Sequence, residues 1–558
     1  MNKIKFLLVG IFLLGTILRF FQLGKTPIGL EWDEVALGYD AYSILKTGKD
    51  QFGNFMPLTF RSLDDYKPPL YIYSAVPGVA LFGMNEFTAR LPAAIYGALG
   101  VLLTYFLVTE IFIREKKSKR NKVALLSSLF LAISPWSLQF SRAAFETNLA
   151  VSVIISGVWL FLRAIRLKST KTFIFSAFFF GISLFSYHSA RVLAPMILVF
   201  LFFLFRRRID FKKFTVSFLA VYGIFFLFFV PIVRSPDAQI RFRVTNALNV
   251  YENETKSSER ILNDMKVGAG AGAKIFFNRR LSVFNYENFL TVTHNYLVHF
   301  DPEFLFVKGD ALLHHAPDFG MLYFFDLFLI IPGAIIYSVK YRNRQSLILP
   351  AWLLLAPISA SVTTQVPHSV RTEVILPTFH IFSALGAVFL YDFLKKESTF
   401  LSFAAVLFFL PVFYFSIGKY LYHYYFYTNN WVSDKWIYGR KEAVLYTENV
   451  KSQYDKVIIS LSVDMPLNFW LFYSSYDPVT YLAQGGTRSN GFLYEGNAYD
   501  KYEFRNFNYR EMQYYPGKVL LVGTPNNFPQ GTDAVKTTYY MDGREALKIV
   551  AVGTGKSY

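Results

Sequence analysis

The chain has 558 residues, 53% hydrophobic and 19% aromatic, with 61 Phe and 37 Tyr. Its mean hydropathy of +0.31 excludes an ordinary soluble domain of this length, which is more polar. The formal charge of +18 lies in short clusters between apolar runs, so it reads as membrane topology and not as a nucleic-acid surface, and the absence of Cys excludes disulfides, thiolate metal sites and a Cys nucleophile.

A bilayer span needs about 17–25 apolar residues. Such runs fall at 4–23, 87–112, 123–140, 143–164, 172–187, 190–205, 214–233, 319–340, 346–361, 372–393 and 399–418, eleven in all. The first follows Lys3 and Lys5 and has no small-residue cleavage site, so it reads as an uncleaved span. One set of short loops holds Lys3/Lys5, the run Arg114 to Lys122, Arg163 to Lys171, Arg206 to Lys213, Lys340 to Arg344 and Lys395/Lys396; the other set holds only Arg142, Arg191 and Arg371. The positive-inside rule therefore predicts an inner N-terminus. With eleven spans, the loops 24–86 and 234–318 and the tail 419–558 then lie outside.

The first outer loop crowds Glu31, Asp33 and Glu34 into four residues, ahead of a short interfacial helix predicted over Asp33 to Tyr42. Carboxylates this close raise one another's pKa, which suits a general base. An acidic turn with Asp33 as helix N-cap explains the same residues, and spacing leaves both readings open. The loop ends Asp64-Asp65-Tyr66-Lys67-Pro68-Pro69-Leu70, where the prolines fix an extended turn. Lys67 is a candidate phosphate ligand there; a snorkelling interfacial lysine is the plain alternative.

Phe140-Ser-Arg-Ala-Ala-Phe-Glu146 places Arg142 and Glu146 four apart, which predicts one helix face and an ion pair. Tyr187-His188-Ser-Ala-Arg191 and Val366-Pro-His368-Ser-Val-Arg371 repeat the charged outer turn. Three such turns suggest an anionic ligand at the outer leaflet. Gly268-Ala-Gly-Ala-Gly-Ala273 lacks the Lys-Ser/Thr of a phosphate loop and reads as a flexible stretch. The segment before residue 319 holds His294, His299, Asp301, Glu303, Asp310, His314, His315 and Asp318, four of the chain's eight His among them. His with carboxylate suits zinc or manganese, but the spacing fits no strong ligand pattern, and substrate hydrogen bonding or loop structure is the favoured reading. The residues identify no cofactor, and a divalent metal stays open. The tail reads as a small α/β domain, with a helix over Trp436 to Val450 and strands over Lys456–Val463, Lys518–Thr524 and Leu547–Val552.

These features resemble the GT-C glycosyltransferases, particularly the protein O-mannosyltransferase and lipid A aminoarabinose transferase group. The resemblance is carried by Trp32-Asp33-Glu34, Lys67-Pro68-Pro69-Leu70, Phe140-Ser-Arg-Ala-Ala-Phe-Glu146, Phe300-Asp-Pro-Glu-Phe-Leu-Phe306 with Gly309-Asp310 and His314, and Pro367-His368-Ser-Val-Arg371. It covers about residues 1–420 and leaves the tail aside. It implies a helical polytopic GT-C module at 1–420, its site on the outer loops, and an extracytoplasmic α/β accessory domain at 421–558. It implies an inverting transfer from a polyprenyl-phosphate sugar, of the dolichyl-phosphate-mannose kind, to a protein, lipid or glycan acceptor outside the cytoplasmic membrane. Asp33 is then the base, and Glu34 orients it or holds acceptor or metal. Lys67 neutralises the departing phosphate, with Arg142, Arg191 and Arg371 as further candidates. Glu31, Glu146, His188, His314 and His368 are other site candidates. Where the aminoarabinose transferases tend to carry Glu before Lys-Pro-Pro, this chain has Tyr66. The competing readings are a transporter or flippase for lipid-linked sugars, which should show internal repeats and midplane charges, and a non-catalytic outer-face assembly protein. No clear repeat is evident.

Overall fold

A segment too apolar for water and rich in Leu, Ile and Phe must satisfy its backbone internally, and in a bilayer that means helix. The computed structural model describes residues 2–62, 65–209, 215–234, 246–248, 259, 261–263, 265–268, 272, 286–488 and 495–553. Asp64, Lys212, Lys213 and most of the glycine-alanine stretch (269–271 and 273) lie outside the described residues. Each of the eleven apolar runs contains helix among the described residues, but 143–145, 184–187 and 319–323 are turn or irregular, so the runs are not eleven uninterrupted helices. The first ten helices are α1 (Asn2–Phe20), α2 (Trp32–Thr47), α3 (Pro69–Phe82), α4 (Glu86–Ile111), α5 (Lys117–Ile133), α6 (Pro135–Arg142), α7 (Glu146–Leu167), α8 (Thr170–Ser183), α9 (Ala190–Phe205) and α10 (Val216–Arg234). Among the described residues, four helices are long and apolar enough to cross a membrane, Glu86–Ile111, Glu146–Leu167, Val216–Arg234 and Thr399–Trp431, or up to six if two bent pairs each count as one span.

The bent pairs differ from the uninterrupted spans that hydropathy predicts. Run 123–140 breaks by 53° between α5 and α6, where Pro135 removes a backbone donor and crowds the preceding turn. Run 372–393 breaks by 52° between Ser369–Ile375 and Thr378–Glu397, with Pro377 at the bend. A second difference lies at the turn after α6. Arg142 is the last residue of α6 and Glu146 the first of α7, so the two do not share one helix face.

The chain forms two compact units. One comprises Met1–Ile11, Gly100–Trp136 and Ala150–Ser416; the other comprises Phe12–Leu99, Ser137–Leu149 and Ile417–Tyr558. In the first, the helices Phe324–Lys340 and Thr378–Glu397 pack closely, because a Cβ at Gly333 or Gly386 would strike the facing backbone carbonyl of Phe382 or Leu329. Small residues that admit such approach are the usual means of packing helices in lipid, where no hydrophobic force drives association.

The second unit contains the first loop and the tail. The loop carries α2 and a two-stranded hairpin, β1 (Phe60–Ser62) with β2 (Asp65–Lys67), antiparallel, with Phe60 opposite Lys67. The tail carries a six-stranded sheet of β3 (Lys456–Ile459), β4 (Ala498–Tyr499), β5 (Tyr502–Phe504), β6 (Val519–Gly523), β7 (Lys536–Tyr539) and β8 (Glu545–Val552), in the order β4-β5-β3-β6-β8-β7. β3 runs parallel to both β5 and β6, and the remaining pairs are antiparallel. The period of two splits the strands between two cores. Val457, Ile459, Leu520, Val522, Leu547 and Ile549 enter one, while Ile458, Val519, Leu521 and Val550 enter the other. That is why these strands read as continuous apolar runs without alternation. β3 is shorter than the predicted Lys456–Val463, because the Ser460 hydroxyl accepts from Ser462 N–H and starts a 3-10 turn at Leu461–Val463. The predicted helix from Trp436 begins only at Arg440, after Gly439 at φ 92°.

The first tail core does not stop at the tail. Leu30, Val35 and Tyr39 from the first loop are buried in it beside Val444, Phe469, Phe472 and Tyr481. A Cβ on Gly29 would collide with the Trp436 carbonyl, and one on Gly38 would press on the Phe472 ring. The tail domain is thus the surface against which α2 folds.

Candidate active site

Sequence places three carboxylates together; the structure gives them three different tasks. Glu31 is the N-cap of α2, its carboxylate accepting from Asp33 N–H at 2.9 Å. Glu34 completes a capping box by accepting from Glu31 N–H at 3.1 Å. The cap is therefore Glu31, and helix begins one residue before Asp33, which corrects the assignment of Asp33 as N-cap. Burial, followed by the neighbouring Asp33 charge, holds the Glu31 carboxyl well above the usual range.

Glu34 is buried, and the Arg90 guanidinium clasps it. Arg90 Nε lies 2.9 Å from Oε1 and Nη2 3.0 Å from Oε2, while Ala144 N–H also donates to Oε1 at 2.9 Å. Arg90 further donates to the carbonyls of Leu23, Pro27 and Gly29. All five of its donors are engaged, and it is fully buried. Sequence reading missed Arg90. The signal was present as a lone charge at the start of an apolar run, a position at which an ionisable residue is rarely idle.

Asp33 keeps a partly exposed carboxylate that takes no part in the cap. Its Oδ2 accepts from Lys67 Nζ at 2.7 Å, with 30% of the Asp33 side chain exposed against 9% for Lys67. Two elements set this pair. The capping box fixes Asp33 in the first turn of α2, where the helix dipole favours an anion. Lys67 ends β2, and Pro68-Pro69 then start α3, so the hairpin and the prolines hold the lysine backbone. The arrangement is a reachable carboxylate base joined to a mostly buried cation.

Arg142 has another role than anion binding. It is buried and caps α1: Nη1 donates to Leu18 and Arg19 carbonyls at 2.7 and 3.1 Å, and Nη2 to Phe21 and Thr26 carbonyls at 2.7 and 3.3 Å. Nε donates to the Tyr424 hydroxyl at 3.2 Å, and the guanidinium lies over the Tyr424 and Tyr425 rings. These contacts satisfy the orphan carbonyls of a helix end and occupy every Arg142 donor. Glu146 is buried at the first position of α7.

The remaining candidates lie in the other unit. His188 Nδ1 is 3.0 Å from Arg191 Nη1, and Arg191 also donates to the Leu184 carbonyl. Arg371 donates to Thr363 Oγ1 and the Thr364 carbonyl, both at 2.6 Å. His314 and His368 meet Asp310, which sequence left among many loop residues. His314 Nδ1 is 2.9 Å from Asp310 Oδ2, the His314 and His368 rings are 5.2 Å apart, and Ser369 donates to Asp310 through both N–H and hydroxyl. His299 Nε2 accepts from His368 N–H at 3.2 Å. Burial pulls the His299 imidazole down to about 4 and His368 well below its ordinary value, with Arg371 adding to the effect on both. Burial would raise Asp310, but the His314 charge and hydrogen bond, with Ser369, bring it to about 2. One donor atom each from Asp310, His314 and His368 lies within 4.8 Å of the others, and buried His368 Nδ1 makes no hydrogen bond. Two imidazoles and a carboxylate with an unpaired ring nitrogen fit a zinc- or manganese-type ion.

No curated protein matches the chain by sequence. The dolichyl-phosphate-mannose-protein mannosyltransferase family matches residues 66–234. Among solved structures, ArnT from Cupriavidus metallidurans bound to undecaprenyl phosphate is similar at 12% identity and TM-score 0.55, covering 97% of each chain. The archaeal oligosaccharyltransferase AglB from Archaeoglobus fulgidus, in complex with an inhibitory peptide and a dolichol-phosphate, is similar at 13% identity and TM-score 0.50. That match covers 84% of this chain but 63% of AglB, so the chain spans less than two thirds of that relative. The chain has the GT-C fold and resembles the O-mannosyltransferase and ArnT group.

Proposed function

We propose that the protein is an inverting glycosyltransferase. It moves a sugar from a polyprenyl-phosphate donor to an acceptor hydroxyl on a protein, lipid or glycan at the outer face of the cytoplasmic membrane. The observation that carries this reading is the Asp33–Lys67 pair, a reachable carboxylate and a mostly buried ammonium 2.7 Å apart. Asp33 takes the proton of the acceptor hydroxyl as that oxygen attacks the anomeric carbon. The bond from the anomeric carbon to the phosphate oxygen breaks, and the phosphate leaves with the electron pair as an anion. Such a leaving group needs no acid, so one carboxylate suffices, unlike glycoside hydrolysis by two carboxyl groups. Lys67 supplies positive charge where negative charge develops. Arg142 is left out of this assignment because its donors already hold α1; Arg191 and Arg371 remain secondary candidates. The match to the mannosyltransferase family, and the lipid phosphates bound to ArnT and AglB, support the donor class. The basic loops support an inner N-terminus, an outer tail and eleven spans.

The test is transfer from a panel of radiolabelled polyprenyl-phosphate sugars in membranes containing the protein, followed by identification of the labelled product. Label that stays on the donor across the panel would overturn the reading. Lys67→Ala should lower donor use about 100-fold by the loss of one electrostatic contact to the phosphate. Lys67→Arg should recover part of it, since the charge returns with altered geometry. Equal rate and equal donor affinity in Lys67→Ala would remove the phosphate role.

We further assign a divalent cation to Asp310, His314 and His368. Elemental analysis of purified protein should find one zinc or manganese per chain, lost in the His314→Ala/His368→Ala variant. Wild type that stays metal-free after incubation with either ion would refute the assignment.

A further inference from the structure

The first unit holds an apolar cavity of about 930 Å³ among the start of α1, α5 and the helices Thr378–Glu397 and Thr399–Tyr422. That volume lies in the upper part of the range typical of ligand cavities, about 300–1,000 Å³. Its walls are hydrocarbon, with Leu126, Leu129, Val388, Phe409 and Phe413 representative. Away from its polar end the lining offers water few hydrogen-bond partners, so it suits hydrocarbon better than water. The outer wall is the helix Thr399–Tyr422, whose Phe400, Phe403, Leu407, Phe408 and Phe415 are exposed, as on a surface made for lipid. The cavity is therefore shaped for hydrocarbon chains.

One end is polar. Lys122, Asp392 and Ser402 line it, and Lys119 Nζ lies 3.7 Å from Asp392 Oδ2. Lys395 reaches back over the ring of Tyr391, another lining residue. Lys116, Lys117, Lys119, Arg120 and Lys122 crowd the start of α5, and Lys395 and Lys396 close the helix Thr378–Glu397. Asp392 balances only one of these charges. A hydrocarbon slot ending in a basic cluster, with Asp392 set against Lys119 and an excess of positive charge around it, matches a lipid with an anionic headgroup, and basic pockets between spans on the inner face are the known setting for such lipids.

We propose that this cavity is a binding site for one anionic phospholipid, its acyl chains in the slot and its headgroup on Lys119 and Lys122. A zwitterionic headgroup would bring its own cation to these lysines. The inference rests on the membrane-embedded reading and is independent of the transferase reading.

The experiment uses the full chain reconstituted in phosphatidylglycerol or phosphatidylcholine vesicles, extracted in mild detergent and analysed by native mass spectrometry. Wild type should retain one phosphatidylglycerol per chain. Lys119→Gln/Lys122→Gln should weaken retention about fivefold for each charge removed. Ala405→Trp, which fills the slot from a lining position, should abolish retention. Should Ala405→Trp fail to fold, the lysine variant still decides, because its changes lie at the accessible end. Equal retention by wild type and the lysine variant, preferential retention of phosphatidylcholine, or displacement by added undecaprenyl phosphate would each overturn the proposal.

Discussion

Asp33→Asn should leave a folded, membrane-inserted protein whose transfer rate has fallen by about a thousandfold, the middle of the range for loss of a general base. The amide keeps the shape and the hydrogen-bonding oxygen of the carboxylate but cannot take a proton. The fold should tolerate it, because Asp33 is partly exposed and the amide oxygen of asparagine can still accept from Lys67 Nζ. Glu31 and Glu34 do the capping, and neither changes. The measurement is initial transfer rate beside a thermal melt in detergent and a donor-binding assay. Near-normal turnover by this variant would end the proposed mechanism, and would favour the transporter or assembly readings. A rate loss accompanied by a melting loss would show that Asp33 supports the fold instead.

The opposite outcome is expected one residue later. Arg90→Ala should destabilise the protein by about 3–5 kcal/mol, because it strands the buried Glu34 carboxylate without its partner. It also leaves the Leu23, Pro27 and Gly29 carbonyls without a donor. Arg90→Lys should rescue little, since a single ammonium cannot reproduce five donors in a planar fork. Removing the charge on both sides, with Glu34→Gln and Arg90→Met, should recover only the electrostatic part and leave the loop carbonyls unserved. The check is the detergent melting temperature and the yield of monodisperse protein. A wild-type melt for Arg90→Lys would show that charge alone matters and that the fork geometry does not. Asp33 and Glu34 thus make a matched pair of tests, one expected to affect chemistry without fold and the other fold before chemistry.

Adjacent carboxylates look interchangeable in a string of letters. What separated them was the direction of each side chain once the capping box had set the start of α2. Arg142 shows the same limit. An arginine at an outer turn resembles an anion ligand, but its guanidinium faces the end of α1, whose unpaired carbonyls lie more than a hundred residues earlier in the chain. The residues His314, His368 and Asp310 were each noted, but their meeting was not legible for a related reason, since His368 is separated from the other two by more than fifty residues and a complete helix. Conversely, the apolar runs were legible because bilayer hydrocarbon imposes length and composition locally, residue by residue. Their breaks fall at Pro135 and Pro377, but the proline alone does not mark them, since Pro92, Pro332 and Pro411 lie inside continuous helices.

Sequence by itself determined that this is a helical membrane chain with a mixed α/β tail, and that Asp33 and Lys67 are chemically worth placing. It did so because hydropathy, strand period and turn chemistry act over a few residues. Only tertiary structure decided that Asp33 faces Lys67, that Glu34 belongs to Arg90, and that the tail packs as the bed of α2. Those outcomes depend on which buried charges find partners across long loops. For a buried group such as Glu34, an unpaired charge costs more than any local preference can offset.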